Sequence, residues 1–188
     1  MGMPAVANDW TVEEVLRLPS DGNRYECVDG ELLVSPAPRL SHQAVLEEVY
    51  ARLREYVRSM RLGRVMLSPA DIVLDPQTLV QPDVFVIPRT AHYPREWSDV
   101  RDLLLAVEVL SPSTARFDRI VKRRRYQRAG IPEYWIVDTD ALLIERWRPA
   151  DERPEILADR IEWQPVADVE PLLLDIPELF RAALDWSD

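Results

Sequence analysis

Leu103-Leu104-Leu105-Ala106-Val107-Glu108-Val109-Leu110 is an apolar run interrupted only by Glu108. A run this short and this apolar suits a central strand covered on both faces. Working outward, Ser111-Pro112-Ser113-Thr114 ends the strand and starts a helix over about 114–129, closed by Gly130. Segments 133–138 and 142–148 then form a hairpin through Thr139-Asp140. Upstream, 64–67, 71–74 and 84–87 read as strands, and 88–101 as a loop. A long helix precedes them over about 41–60, capped by Ser41, carrying Val45, Val49, Leu53, Val57 and Met60 at helical spacing, and closed by Gly63. Residues 24–35 read as a β-hairpin around Asp29-Gly30, after a short helix opened by the Thr11/Glu14 capping box. A strand at 160–164 and a helix at 177–186 are peripheral. This alternation predicts an α/β (α+β) fold with a mixed central sheet.

The chemistry starts at Glu108. A carboxylate inside an apolar strand costs several kcal/mol unless a cation compensates it. Either a metal ion or the basic helix that follows can do so. Asp83, after Pro82 at the start of another apolar strand, either caps a turn or converges with Glu108 to hold Mg²⁺ through oxygen ligands. Lys122 is the only lysine among 23 basic residues, in a chain whose other cations are all arginine. Asp118, Lys122 and Tyr126 recur at i, i+4 and i+8 along one helix face, with Arg125 beside them. Lys122 is then either a solvated partner of Asp118 or a group that positions or deprotonates an attacking water. His42 can cap its helix or approach a metal or phosphate, and Glu48 is either solvated or an extra acid of the site.

These residues carry a resemblance. Pro82-Asp83, followed after a gap by Glu108-Val109-Leu110, resembles the signature of the PD-(D/E)XK nuclease superfamily. Val107 to Thr114, then Asp118, Lys122 and Tyr126, then Gly130 to Asp138, resemble the Uma-type restriction endonuclease family, as do the Tyr25 to Leu32 hairpin and His42. The likeness covers roughly residues 20–148, with 149–188 a peripheral extension of a single domain. It implies a restriction-endonuclease-like fold with extra N- and C-terminal β-hairpins, and Mg²⁺- or Mn²⁺-dependent hydrolysis of DNA. Asp83 and Glu108, helped by the Val109 carbonyl, would ligate the metal. Arg116, Arg119, Arg123 and Arg125 would contact the DNA backbone, and two sites for two strands imply a homodimer. The usual lysine position, two after the acid, holds Leu110, and the resemblance assigns its role to Lys122. A module that keeps this fold and binds without cutting is the alternative. On the nuclease reading, the Asp83 and Glu108 carboxylates lie roughly 3 to 6 Å apart and both titrate high.

Composition narrows the classes. The chain has 188 residues, enough for one domain with a sizeable core. Five glycines and no P-loop or G-x-G-x-x-G pattern argue against the common nucleotide-binding enzymes. A single cysteine, Cys27, excludes an internal disulfide and a cysteine zinc cluster. No apolar run approaches a membrane span, and Met1 to Asn8 lack the charge and length of a signal peptide, so a cytoplasmic protein is expected. The net charge of -10 opposes nucleic-acid binding, but residues 116–128 gather seven cations against Asp118 alone.

Overall fold

The apolar run forms a fully buried inner strand of a six-stranded mixed sheet in the computed structural model, which describes residues 9–90 and 94–185. Along the chain come α1 (Val12–Val15), β1 (Arg24–Val28), β2 (Glu31–Ser35), α2 (Leu40–Ser59), β3 (Gly63–Leu67), β4 (Ile72–Asp75), β5 (Thr78–Val80), β6 (Val84–Pro88) and β7 (Leu105–Val109). A helical segment follows as α3 (Ala115–Phe117), a π turn (Asp118–Lys122) and α4 (Arg123–Arg128). The chain ends with β8 (Tyr134–Asp138), β9 (Leu143–Trp147), β10 (Glu155–Leu157), β11 (Arg160–Trp163), β12 (Leu172–Asp175) and α5 (Ile176–Leu184).

The central sheet runs β10-β9-β8-β7-β6-β3 and is antiparallel except for the β7–β8 pair. That parallel pair needs a crossover, which α3, the π turn and α4 supply. A second sheet, β2-β1-β5-β4, and a small β11-β12 ribbon complete the fold. Strand alternation decides what each face buries. Val84, Val86, Val107 and Val109 pack on Val45, Val49 and Leu53 of α2 and on Leu179 of α5. Phe85, Ala106, Tyr134 and Ile136 on the other face pack on Val28 and Val80 of the second sheet and Tyr126 of α4. Glu108 shares that second face with Ala106, beneath the second sheet and the basic helix.

Several local expectations change. Ser41 lies inside α2, whose N-cap is Arg39 with no side-chain cap bond. Gly63 does not close α2; Arg61 takes the left-handed turn at φ 55°, and Gly63 opens β3. A Cβ on Gly63 would stand 1.9 Å from the Ile87 carbonyl oxygen, so close strand approach requires the glycine. Strands β5, β10 and β12 carry too few residues to show a period. The loop at 88–101 holds a 3₁₀ turn, Trp97–Asp99. Trp186 and Met1 to Asn8 lie outside the described residues. Among the described residues no helix is long and apolar enough to cross a membrane.

Candidate active site

The β6–β7 register, Val84 with Val107 and Phe85 with Ala106, carries one step further to set Asp83 across from Glu108. Directly opposed residues of an antiparallel pair have Cβ atoms about 4.5–5.5 Å apart. The Val109 N–H donates to Asp83 Oδ2 at 2.9 Å, which ties Asp83 to the end of β7. Arg24 of β1 donates to Asp83 Oδ1 at 2.7 Å, and His42 Nε2, from the first turn of α2, lies 3.2 Å from Oδ2. His42 is buried against the acid rather than capping its helix in solvent, and its Nδ1 has no hydrogen-bond partner among the described residues.

Glu108 faces the other helix. Its Oε1 accepts from Lys122 Nζ at 2.9 Å and from the Tyr126 hydroxyl at 3.2 Å. Lys122 has no solvent exposure, and its ammonium also lies 2.8 Å from Glu26 Oε1 and 3.6 Å from Asp118 Oδ1. The i, i+4, i+8 spacing thus brings Asp118, Lys122 and Tyr126 to one buried place through a π turn, a feature concentrated at functional sites. Glu26 itself was not singled out as a site residue. Its signal was the one Glu108 gave, a carboxylate beside Cys27 and Val28 in an apolar strand.

Glu26, Asp83, Glu108 and Asp118 are all 2 % exposed or less. Four formal negative charges therefore meet two fixed cations, Lys122 and Arg24. Burial pushes the Glu108 carboxyl well above the usual range; Lys122 opposes this, while Asp83, Asp118 and Glu26 add to it. Burial likewise pushes Asp118 up to about 6, against the pull of Lys122. Asp83 departs from the expected rise. Burial works to raise it, but His42 and Arg24 hold it well below the ordinary carboxylate range. Lys122 is held above its ordinary value because Glu108, Glu26 and Asp118 outweigh its desolvation. With these three carboxylates around it, the ammonium form is favoured.

A cleft of about 650 Å³ opens onto Asp83, His42 and Arg24, with Arg39 and the Ser111-Pro112-Ser113-Thr114 loop on its walls. Glu108 and Lys122 lie behind these residues. Glu48 pairs with Arg52 at 3.3 Å, and Arg52 in turn with Glu178 of α5, away from the cluster. Arg119 is bound to Glu145 and Asp138, each at 2.6 Å, and Arg125 to Asp75 at 2.6 Å. Arg123 stacks 4.6 Å over the Trp147 ring, and Arg116 is exposed.

The sequence model of the Uma2 family, described as "Putative restriction endonuclease", matches residues 12–181. The chain belongs to the Uma2 family. A crystal structure of a "putative nuclease belonging to DUF820" from Anabaena variabilis superposes with a TM-score of 0.74 at 22% identity, covering 93% of this chain and 99% of that one. It shares the mixed central sheet flanked by helices. No curated protein shows significant sequence similarity. The Uma2 match reaches past residue 148 into β11, β12 and α5, further than the sequence resemblance extended.

The over-acidic cluster of this Uma2 protein has a pH signature. Between 3.8 and about 6, native Asp118 holds a proton that the unfolded chain has lost. Its contribution to stability therefore falls as pH rises through that window, and Glu108 acts in the same direction. Asp83, held low, contributes stability that is lost only on acidification below the unfolded value. Asp118→Asn is expected to flatten the decline, read as a smaller difference in urea-unfolding free energy between about pH 5 and pH 8. An unchanged slope would mean that Asp118 does not titrate in this window.

Proposed function

We propose that the protein is a metal-dependent endonuclease that hydrolyses DNA phosphodiester bonds, within one restriction-endonuclease-like domain. The observation that carries this reading is the buried surplus of carboxylate charge at and behind Asp83 of the cleft. Four acids against two fixed cations leave a formal deficit equal to one divalent ion. Glu26 Oε2 and Asp118 Oδ1 are also buried without hydrogen-bond partners among the described residues, with Arg24 Nε 3.7 Å from the first and Lys122 Nζ 3.6 Å from the second. All the candidate donors are oxygens, which suits Mg²⁺ or Mn²⁺. No group of three or more His, Cys, Asp or Glu side chains surrounds a single point among the described residues. A set of two carboxylates completed by water and phosphate is the usual mode for Mg²⁺.

Asp83 and Glu108 would hold the ion, with the Val109 carbonyl as a third oxygen. Bound there, the ion supplies Lewis-acid stabilisation of charge on a phosphate oxygen. Lys122 acts as a fixed positive charge and hydrogen-bond donor behind Glu108, fixing that carboxylate while Tyr126 fixes it from the same helix. Arg24 and Arg39 at the cleft wall supply charge to the incoming phosphate. A homodimer would bring two such sites to the two strands of a duplex.

A second reading, a binding module that retains the nuclease fold, is favoured by the Arg24 and Lys122 contacts, since both acids already have protein cations on them. Nicking of supercoiled plasmid in Mg²⁺ or Mn²⁺ separates the two. The nuclease reading expects relaxed circles with the wild type, and none with EDTA or with Asp83→Ala. Plasmid left intact by pure protein in both metals would favour the binding module.

A further inference from the structure

A second hollow of about 640 Å³ lies between the C-terminal half of α2 and the edge strand β3. Arg54, Arg58, Arg61, Arg64 and Arg89 line it, and no Asp or Glu among the described residues does. All five are exposed, and no ion pair among the described residues engages Arg54, Arg58, Arg61 or Arg89. Glu47 and Glu55 stand on the neighbouring flank of α2 without such pairs. Like charges one helical turn apart, as at Arg54 and Arg58, repel. In a chain of net charge -10, four guanidiniums without an ion pair among the described residues, gathered around one concavity, therefore call for an anionic occupant. Arg64 on the edge strand also discourages strand addition, but Arg54, Arg58 and Arg61 are not on that edge.

The hollow and the Asp83 cleft lie along one face of α2. His42 and Leu46 border the cleft, and Tyr50, Arg54, Val57 and Arg61 border the hollow, each three or four residues after the last. That spacing is one face of α2. On β3, Leu67 borders the cleft and Val65, on the same face of the strand, borders the hollow. At 1.5 Å per residue, Arg58 stands roughly 24 Å along α2 from His42. That length corresponds to about seven steps of 3.4 Å along a duplex strand.

We infer that this arginine-lined groove binds the phosphodiester backbone of a nucleic acid and leads it into the cleft at Asp83. The direction of travel rests on the nuclease reading; the binding does not. On the basic helical segment Arg119, Arg125 and Arg128 pair with acids of this chain, whereas Arg54, Arg58, Arg61 and Arg89 have no ion pair among the described residues.

The test uses the full chain in EDTA, so that binding is read without cleavage, with fluorescently labelled duplex and single-stranded DNA of ~30 residues per strand. Arg54→Gln/Arg58→Gln is expected to bind at least about tenfold more weakly at ~0.1 M NaCl. Its slope of log K against log salt should fall by about 1.8 on duplex or about 1.4 on single strand. Arg153→Gln/Arg160→Gln removes the same charge from exposed positions elsewhere and should bind as wild type. Equal affinities in wild type and Arg54→Gln/Arg58→Gln, equal losses in both variants, or no wild-type binding to either DNA would overturn the inference. So would binding of poly-glutamate in place of DNA, which would make the groove a protein-docking surface. Arginine-dependent binding without nicking in metal would uphold the groove and sink the nuclease reading. Nicking with arginine-independent binding would do the reverse.

Discussion

Lys122→Ala is expected to lose cleavage and also about 3–5 kcal/mol of stability, a fall in Tm on the order of 10 °C. The ammonium is fully buried against Glu26, Glu108 and Asp118, so its removal leaves three carboxylates without their shared cation. Complete burial of the side chain makes its loss a loss of fold stability as well as of activity. The loss should shrink toward pH 5, where the orphaned carboxyls can protonate, and calorimetric scans at about pH 5 and pH 8 would read it. Lys122→Arg should rescue poorly, because a planar guanidinium does not fit a closed site shaped around a compact ammonium. A Tm within about 2 °C of wild type at both pH values would contradict the observed role of Lys122 as the hub of the cluster.

Glu108→Gln should move stability the other way. The amide keeps an oxygen for Lys122 and Tyr126 while removing one charge from an already over-acidic cluster. Stability at pH 8 should rise by about 1 kcal/mol or more, since the desolvated carboxylate no longer has to stay ionised. Plasmid nicking should fall by ~10³-fold or more, and the rise in Tm on adding Mn²⁺ should vanish, because ligand stabilisation follows affinity for the native state. A residue kept at a cost in stability and lost at a cost in activity is what a functional site predicts. Glu108→Gln that nicks at the wild-type rate would remove Glu108 from the mechanism.

The apolar run at 103–110, the hairpin turn at Asp29-Gly30 and the stripe on α2 were legible because each shows its period or turn chemistry locally. Glu108 and Lys122 were legible because each broke a pattern, one an acid in a buried strand and the other a lone lysine among arginines. Glu26 broke the same pattern and was passed over, since only the pairing of β1 with β5 brings it under the helix. His42 could not be read from its helix position. Its burial depends on Asp83 arriving from β6, a contact between residues far apart in sequence. The direction of the Asp83 shift was likewise invisible, because it is set by Arg24 and His42 rather than by Glu108. Charge gave the least reliable guide to surfaces. In the conspicuous run at 116–128, Arg119, Lys122, Arg125 and Arg128 are taken up by acids of their own chain, while arginines scattered from 54 to 89 gather around one hollow.

The most direct test is anomalous diffraction from crystals of the wild-type chain grown or soaked with Mn²⁺. A peak about 2.2 Å from carboxylate oxygens of both Asp83 and Glu108, with Lys122 still between Glu108 and Glu26, is the predicted result. Density at full Mn²⁺ occupancy elsewhere, with Arg24 and Lys122 still neutralising an ion-free cluster, would contradict the account.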